Sequence, residues 1–237
     1  VKLRYNSAVK SVSRNERRSK MAERQIPKTL DEAYRLAAEA KPSLDAFGEK
    51  LAKQFGCEFK SAPLKGRERA EEKLNAKYRG DVSQLQDLAR CRLICDSLEQ
   101  VDAIKKAVKE YTTPIREADR MDKPNERGYR DLKYVFPEKN GFAVEMQIQL
   151  SDFAQADKET HRHYEKIRSI TADAKDRPLT VAEQKEIAMR EKICQGLYMD
   201  AALSFNKRTK GRKLKIEQDK QPTALMIKAK NAKVGGR

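Results

Sequence analysis

The sequence is poor in residues and motifs on which several common functional sites depend. Its 237 residues include no tryptophan, and its two histidines, His161 and His163, lie close together. No apolar run is long enough to cross a bilayer or to form the core of a signal peptide, so no transmembrane helix is predicted. The sequence also lacks a GxxxxGKS/T loop and a GxGxxG turn. These absences exclude the two commonest glycine-rich phosphate-binding motifs.

Cysteine is scarce as well. The four cysteines are Cys57, Cys91, Cys95 and Cys194. Cys91 and Cys95 share one strand-like run, but no second cysteine pair accompanies them. Because a structural zinc site needs four cysteine or histidine ligands, such a site is not favoured. Reduced, buried thiols are expected instead.

Positive charge is abundant and lies at the two ends of the chain. The formal net charge is +16. Residues 1–28 contain nine Lys or Arg against two acidic residues, and residues 207–237 contain eleven against two. The segment between them is neutral overall. Basic ends suit nucleic acid, an acidic partner protein or an anionic surface, and a solubilising tail explains them equally well.

Charge and apolar periodicity divide the chain into three parts. We expect a basic, flexible leader over 1–28, one folded domain over 29–206 that includes a long C-terminal helix, and a disordered basic tail over 207–237. The chain starts at Val1, which suggests a processed product or the C-terminal piece of a longer protein. The predicted helices are 31–40, 43–55, 66–78, 97–111, 151–168 and 180–205, and the predicted strands are 57–62, 88–95, 115–121 and both arms of a hairpin over 128–149. This order predicts an α+β (mixed) fold with a small, mostly antiparallel five-stranded sheet surrounded by helices.

The hairpin is the segment with the clearest pattern. Apolar and polar residues alternate on both sides of a turn-rich PEKNG stretch, so one face of the hairpin is apolar and the other polar. If Phe136 pairs with Phe142, Lys133 lies opposite Glu145 on the polar face. That face is either a solvated surface with a Lys–Glu pair or the floor of a site, and the choice depends on the register.

Two further groups of charged residues are candidates for chemistry. Four cations, Lys65, Arg67, Arg69 and Lys73, lie close together around the start of the predicted helix at 66–78. Cations there oppose the helix dipole unless an anion binds, so either a phosphate site or a solvated face with glutamate counter-ions is possible. Asp87 and Glu145 lie at strand positions, and two carboxylates that hold Mg²⁺ beside such cations are the parts of a phosphoryl-transfer site.

Five ordered segments together resemble the synthetase domain of the RelA/SpoT family of alarmone synthetases. They are PLKGRERAEEKL, DLARCRLI, DKPNERGYRDLKYVF, EMQIQ and HRHYEK. The sequences of three segments are most similar to those of toxin-like and phage-associated members: KYRGD, DLARCRLI and GYRDLKY. The resemblance implies a nucleotidyltransferase-like synthetase fold. It also implies transfer of pyrophosphate from ATP to the 3′-OH of a nucleotide, with AMP as the leaving group.

The resemblance also implies a role for individual residues. Asp87 and Glu145 are expected to bind Mg²⁺, and Glu145 is expected to act as the catalytic base. The residues expected to bind ATP are Lys65, Arg67, Arg69, Lys73 and Arg92, and those expected to bind the acceptor are Tyr129, Lys133, Gln147 and His163. Tyr129 in particular corresponds to a tyrosine that stacks on the acceptor base.

Several positions depart from the family pattern around the acceptor. Asp131 and Lys133 replace a serine and a histidine, and Arg90, Arg127 and Gln149 are also unusual. These departures leave the acceptor open among GDP or GTP, ADP or ATP, and an RNA 3′ end, and a Lys133–Glu145 pair could instead silence the site. A non-catalytic nucleic-acid-binding protein that uses its basic ends is the alternative.

The expected partners and location follow from the same resemblance. Besides ATP and the acceptor, an immunity or inhibitor protein is expected, and RNA is a candidate partner for the basic ends. The expected site of action is the cytoplasm, reached as part of a secreted effector.

Overall fold

The computed structural model describes residues 25–216 of the chain. Within this range the elements are α1 (Leu30–Phe55), β1 (Glu58–Ser61), α2 (Arg67–Tyr78), a 3-10 turn (Val82–Gln84), β2 (Arg90–Cys95), α3 (Leu98–Tyr111), β3 (Arg116–Asp119), β4 (Leu132–Pro137), β5 (Ala143–Leu150), α4 (Ser151–Asp173) and α5 (Val181–Arg208). Residues 1–24 and 217–237, which hold most of the predicted leader and tail, lie outside the described range. Among the described helices, none combines the length and apolar character needed to cross a bilayer.

The five strands form one sheet in the order β1-β2-β5-β4-β3. Three of its four strand pairs are antiparallel, and β2 and β5 run parallel. The predicted α+β fold with a mostly antiparallel five-stranded sheet is therefore confirmed. The apolar side chains of Leu93, Tyr134, Met146 and Ile148 are fully buried on one face, which α1 and α3 cover. The polar residues between them lie on the opposite face, which the first turns of α4 approach.

The first helix differs from its prediction, because Pro42 lies inside α1 and does not end it. The predicted pair of helices is one continuous helix of 26 residues, capped by Thr29 and ended by Gly56 in the left-handed conformation. Proline costs a helix interior about 3 kcal/mol. Both halves of α1 nevertheless share one buried stripe that includes Leu36, Ala40 and Leu44. We attribute the continuity to burial of this stripe against the sheet.

The hairpin of β4 and β5 forms as predicted, but in a different register. Phe136 pairs with Val144 and not with Phe142, a shift of two residues. The cause is the turn: the C=O of Glu138 accepts the N–H of Gly141, and Gly141 has φ of 78°. This is a three-residue loop with a glycine bulge, whereas the predicted Phe136–Phe142 pairing requires a five-residue connection. Because the shift is even, every side chain keeps its predicted face.

The chain beyond α5 contacts the domain at several points within residues 209–216. Leu214 is 4% exposed, and the side chain of Asn206 binds both the N–H and the C=O of Leu214. Arg212 reaches Asp102 at 2.9 Å. Of the segment assigned to the tail, Lys207 and Arg208 thus belong to α5, Leu214 joins the hydrophobic core and Ile216 packs against it.

Candidate active site

Asp87 is the centre of a compact cationic cluster just before β2. Its Oδ2 accepts hydrogen bonds from Nζ of Lys65 and Nζ of Lys73, each at 2.8 Å. The backbone fixes this arrangement, because the N–H of Lys65 binds the C=O of Leu88 and its own C=O accepts the hydroxyl of Tyr34. Two of the four predicted ATP-binding cations at the start of α2 therefore meet the predicted metal ligand.

The electrostatics of this cluster keep Asp87 ionised. Burial by itself raises the pKa of its carboxyl, but the hydrogen bonds and charges of Lys65 and Lys73 outweigh it and hold the pKa at about 2. Within the described part of the chain, Oδ1 of Asp87 is buried and has no hydrogen-bond partner. A buried carboxylate oxygen normally has one. The free oxygen is therefore suited to a cation that arrives with a substrate.

Glu145 lies in the central strand β5, beside the same segment. Its N–H donates to the C=O of Ala89, and its Cα pairs with Arg90 across the parallel β2–β5 ladder. Its side chain is 13% exposed, and its Oε1 lies 3.8 Å from Nζ of Lys133. The parallel pairing places Asp87, just before β2, next to the strand that carries Glu145, although the two carboxylates are 58 residues apart in the sequence.

The predicted acceptor residues meet around a carboxylate that the sequence did not single out as a site residue. Asp131 is fully buried, and its Oδ2 accepts from the hydroxyl of Tyr129 at 3.1 Å and from Nε2 of Gln147 at 3.0 Å. Its Oδ1 accepts from Arg120 at 2.7 Å, and Nζ of Lys133 lies 3.7 Å from Oδ2. Three of the four predicted acceptor residues thus contact one buried aspartate.

Tyr129 enters this group after a turn at Gly128, whose φ is 84°. The ring of Tyr129 packs edge-on against Tyr198 at a centroid distance of 5.5 Å. Burial and the charges of Asp131 and Asp157 raise the pKa of Tyr129 well above its ordinary value. The hydroxyl therefore stays protonated and acts as a hydrogen-bond donor to Asp131.

Arg92, which was predicted to bind ATP, contacts Gln147 and Asp157 on the polar face. Its Nε donates to Oε1 of Gln147 at 3.0 Å, and its Nη1 lies 3.5 Å from Oδ2 of Asp157 in α4. Asp157 also accepts from Gln149 at 3.1 Å and from the hydroxyl of Tyr198 at 2.7 Å. Asp157 is not among the residues that the sequence singles out. Its position three residues before Thr160 places both side chains on one face of the helix, where both contact the hydroxyl of Tyr198.

The remaining cations of α2 point to the surface. Arg67 forms ion pairs with Asp31 and Glu71, and Arg69 forms ion pairs with Glu72 and, across to α4, with Glu165. The side chains of both arginines are about half exposed. The four cations that were predicted to act together therefore divide into a lysine pair on Asp87 and an arginine pair in surface salt bridges.

His163 contacts α5 and has no described contact with the Asp131 group. Its Nδ1 lies 3.3 Å from Nη1 of Arg190. Burial, followed by the charges of Arg162 and Arg190, lowers the pKa of its imidazole. His163 is therefore placed as a neutral residue between two helices.

Asp87 and Glu145 suit a cation that binds together with a substrate. Within residues 25–216, no three His, Cys, Asp or Glu side chains converge as a metal site. Mg²⁺ in nucleotide enzymes is usually held by one or two carboxylates plus substrate phosphates and water. The free Oδ1 of Asp87 and the carboxylate of Glu145 fit that requirement.

Comparison with known proteins places this geometry in a family. Residues 64–169 match the family model described as the region found in RelA / SpoT proteins. This segment belongs to the RelA/SpoT family. All of the predicted site residues lie within it, so the resemblance seen in the ordered motifs is confirmed.

The proteins to which this RelA/SpoT segment is similar include a toxin and a small alarmone synthetase. The chain is 30% identical over 119 residues to the (p)ppApp synthetase toxin Tas1 of Pseudomonas aeruginosa (strain UCBPP-PA14), a match that covers 50% of this chain and 26% of Tas1. The fold is similar to that of the Type VI effector Tas1 in complex with its immunity protein, with TM-score 0.53 and 22% identity over 75% of this chain and 97% of that one. It is also similar to the small alarmone synthetase 1 of Bacillus subtilis bound to pppGpp, with TM-score 0.56 and 15% identity over 72% and 89% of the two chains. The chain spans about a quarter of the length of the curated relative that it matches.

Proposed function

We propose that this chain is an ATP-dependent pyrophosphokinase that transfers the β,γ-pyrophosphate of ATP to the 3′-OH of a nucleotide and releases AMP. The observation that carries the proposal is the cluster of Asp87, Lys65 and Lys73 beside Glu145, within a segment that matches RelA/SpoT proteins. Positioned cations and a carboxylate pair are the main requirements for phosphoryl-type transfer, which depends on charge stabilisation and alignment.

Asp87 and Glu145 are the residues that would hold Mg²⁺. When bound, this ion neutralises charge on the phosphates and aligns them with the acceptor. Lys65 and Lys73 lie on the other oxygen of Asp87 and are placed to bind the same phosphates. Lys65 and Lys73 can therefore bind the phosphates while they remain beside Asp87.

The chemical step needs a base for the acceptor hydroxyl. The 3′ oxygen attacks the β-phosphorus of ATP. The bond from that phosphorus to the oxygen that bridges it to the α-phosphorus breaks, and AMP leaves with that oxygen. The proton of the 3′-OH passes to the carboxylate of Glu145. Lys133 lies 3.8 Å from this carboxylate and balances its charge.

Tyr129, Lys133, Gln147 and Arg92 define the acceptor side of the proposed site. The name of Tas1 specifies an adenine product, so ADP and ATP are the first acceptors to test, followed by GDP and GTP. An RNA 3′ end is the third acceptor to test, because the side chains of Lys133 and Arg92 on the polar face are 31% and 35% exposed.

The same relatives support a biological role. We propose that the enzyme acts as a growth-inhibiting toxin in the cytoplasm of a target cell and that an immunity protein blocks it. Tas1 is described as a toxin and as a Type VI effector that binds an immunity protein. Expression inside a bacterial cell should arrest growth, and the Glu145→Gln variant should relieve the arrest.

The direct test is a transfer assay. The protein is incubated with ATP, Mg²⁺ and each acceptor separately, RNA included, and AMP and the 3′-pyrophosphorylated product are identified by mass spectrometry. Glu145→Gln and Asp87→Asn should each lose activity, whereas Glu58→Gln, an exposed carboxylate on β1 that pairs with Lys60, should not. Failure to release AMP with any acceptor would overturn the proposal.

A further inference from the structure

Asp131 is a buried carboxylate, whereas a charged residue on a solvated hairpin face would be exposed to water. It immediately precedes β4, and its side chain is 0% exposed. Its backbone C=O also accepts the N–H of Arg120 at 2.8 Å. A carboxylate in such a place is costly unless charged and polar partners compensate for lost water. The partners of Asp131 therefore have to compensate for the burial of its carboxylate.

The partners use both oxygens of the carboxylate unequally. Among residues 25–216, Arg120 is the one that binds Oδ1, at 2.7 Å. Oδ2 receives the hydroxyl of Tyr129 and Nε2 of Gln147, and it faces the ammonium of Lys133. Arg120 supplies the charge balance from the rim, where its side chain is 35% exposed. The other oxygen is left to orient three neighbouring side chains.

Gln147 shows how tightly this orientation is defined. Its Nε2 donates to both Asp131 and the hydroxyl of Tyr129, and its Oε1 accepts from Arg92. The amide is thus held at both ends and cannot rotate without losing hydrogen bonds. With both of its N–H donors engaged, Gln147 has little capacity left for a direct contact with an acceptor.

We infer that Asp131 is the positioning residue of the acceptor site and that it fixes Tyr129, Gln147 and Lys133 for the incoming nucleotide. The inference rests on the proposed function. Asp131 does not touch the acceptor, because it is fully buried beneath these side chains. It acts through the ring of Tyr129, which offers a stacking surface, and through the ammonium of Lys133, which also faces Glu145. The departure from the family pattern at this position therefore organises the site.

The inference predicts a selective loss of acceptor binding. Asp131→Asn keeps the shape of the residue and one acceptor oxygen but removes the charge that holds Lys133 and Arg120. We expect the Kd for the acceptor nucleotide to rise about tenfold or more, while the Kd for a non-hydrolysable ATP analogue changes less than about twofold. Equilibrium dialysis of ADP, GDP and the ATP analogue measures these dissociation constants without requiring turnover. Asp102→Asn, an exposed aspartate paired with Arg212, is the matched control.

A double-variant cycle separates positioning from general stability. Tyr129→Phe removes only the hydroxyl that binds Asp131, so it should also weaken acceptor binding. The double variant should be no weaker than Asp131→Asn alone, because both changes disrupt one interaction. If Asp131→Asn fails to fold, Tyr129→Phe alone still tests the contact.

The outcomes distinguish this inference from the proposed function. A wild-type chain that binds the acceptor but transfers no pyrophosphate refutes the proposed function, and the variants still test the role of Asp131. Active wild type with unchanged acceptor Kd in Asp131→Asn overturns the inference alone. So does an equal loss of binding for the acceptor and the ATP analogue, or additive effects in the cycle. A chain that binds no nucleotide refutes both.

Discussion

Lys133 lies diagonally across the hairpin from Glu145, with 3.8 Å between Nζ and Oε1, although its direct partner in the register is Gln147. The same ammonium lies 3.7 Å from Asp131. Lys133 therefore balances two carboxylates of the proposed site at once. Such a bridge keeps both carboxylates in place before any nucleotide arrives.

Replacing Lys133 with methionine should test this bridge. Methionine keeps the length of the side chain and removes its charge, so Glu145 loses the ammonium beside it while Asp131 retains Arg120. We expect kcat/KM for transfer to fall about tenfold or more, whereas Lys133→Arg should retain most of it. Steady-state kinetics with both substrates varied measures the change. Equal rates for Lys133→Met and wild type would mean that the ion pair is incidental.

The pKa of Asp87 predicts a pH-dependent contribution to stability. The folded-state pKa is about 2 and the ordinary value is 3.8, so the unfolded chain binds a proton first as pH falls. The stabilisation is present above the ordinary value and is lost as pH falls through the folded value. The shift corresponds to about 2 kcal/mol.

Asp87→Asn should therefore be less stable than wild type by about 2 kcal/mol at about pH 6, and the gap should close towards about pH 2. Urea unfolding in the presence of EDTA, followed by circular dichroism, measures the gap. Asp102→Asn should show no comparable trend, because that side chain is 58% exposed. A gap that widens on acidification would contradict the assigned lysine partners.

The surface ion pairs of Arg69 predict a variant that improves ATP binding. Glu165 in α4 holds Nη2 of Arg69, so a nucleotide must displace this carboxylate before the guanidinium can bind phosphate. Glu165→Gln should lower the KM for ATP about twofold, and Arg69→Ala should raise it. Glu159→Gln, also on α4, serves as the control. No change in either variant would indicate that Arg69 remains a surface residue during turnover.

Leu214 offers a stability test with a matched partner. It is 4% exposed beyond the last helix, whereas Leu203 on α5 is 52% exposed. Leu214→Ala should lower the free energy of unfolding by about 2 to 3 kcal/mol, and Leu203→Ala by less than about 0.5 kcal/mol. Chemical denaturation of both variants provides the comparison. Similar losses at the two positions would show that the packed segment does not contribute to the core.

Cys57 and Cys95 should form a disulfide under mild oxidation. Their sulfurs lie 3.3 Å apart, at the position next to the Glu58–Ile94 pair of the β1–β2 ladder. The hydrogen bond from Cys95 lowers the pKa of the Cys57 thiol, although burial opposes this. Cys57 therefore becomes the attacking thiolate.

Oxidised glutathione should convert this thiol pair to a disulfide and yield two molecules of reduced glutathione. Peptide mapping by mass spectrometry should then find Cys57 linked to Cys95, with Cys91 and Cys194 still free. Cys57→Ser should retain its three remaining thiols as thiols. A mixed disulfide that never resolves to the intramolecular bond would refute the prediction.

Local signals in the sequence predicted most of the fold. Ser97 and Thr180 each form a capping box where a helix was expected to start, because caps depend on neighbouring residues alone. Pro42 misled the prediction, since its local cost is outweighed by contacts with a sheet that forms elsewhere in the chain. The register of the hairpin was missed for a related reason: the conformation of Gly141 fixes it, and the composition of the turn permits more than one loop.

The site residues likewise include some that local motifs predict and others that only tertiary packing brings together. Asp87 and its lysines were predicted because cations and a carboxylate occur in ordered motifs. Asp157 contacts the polar face only through the packing of α4 on the sheet, which no short motif encodes. Asp131 was visible only as an unusual residue, and its significance depends on Arg120, which reaches it from the chain segment after β3.

The central place of β5 has a consequence for motion. Its backbone is hydrogen bonded to strands on both sides, whereas β1 and β3 each have a free edge within the described sheet. In deuterated water the amides of β5 should exchange last, since opening of a sheet begins at its edges. The carboxylate proposed to accept the proton thus belongs to the backbone that fluctuates least. Tyr129 lies outside the strands, so acceptor preference can diverge through loop substitutions while that backbone remains unchanged.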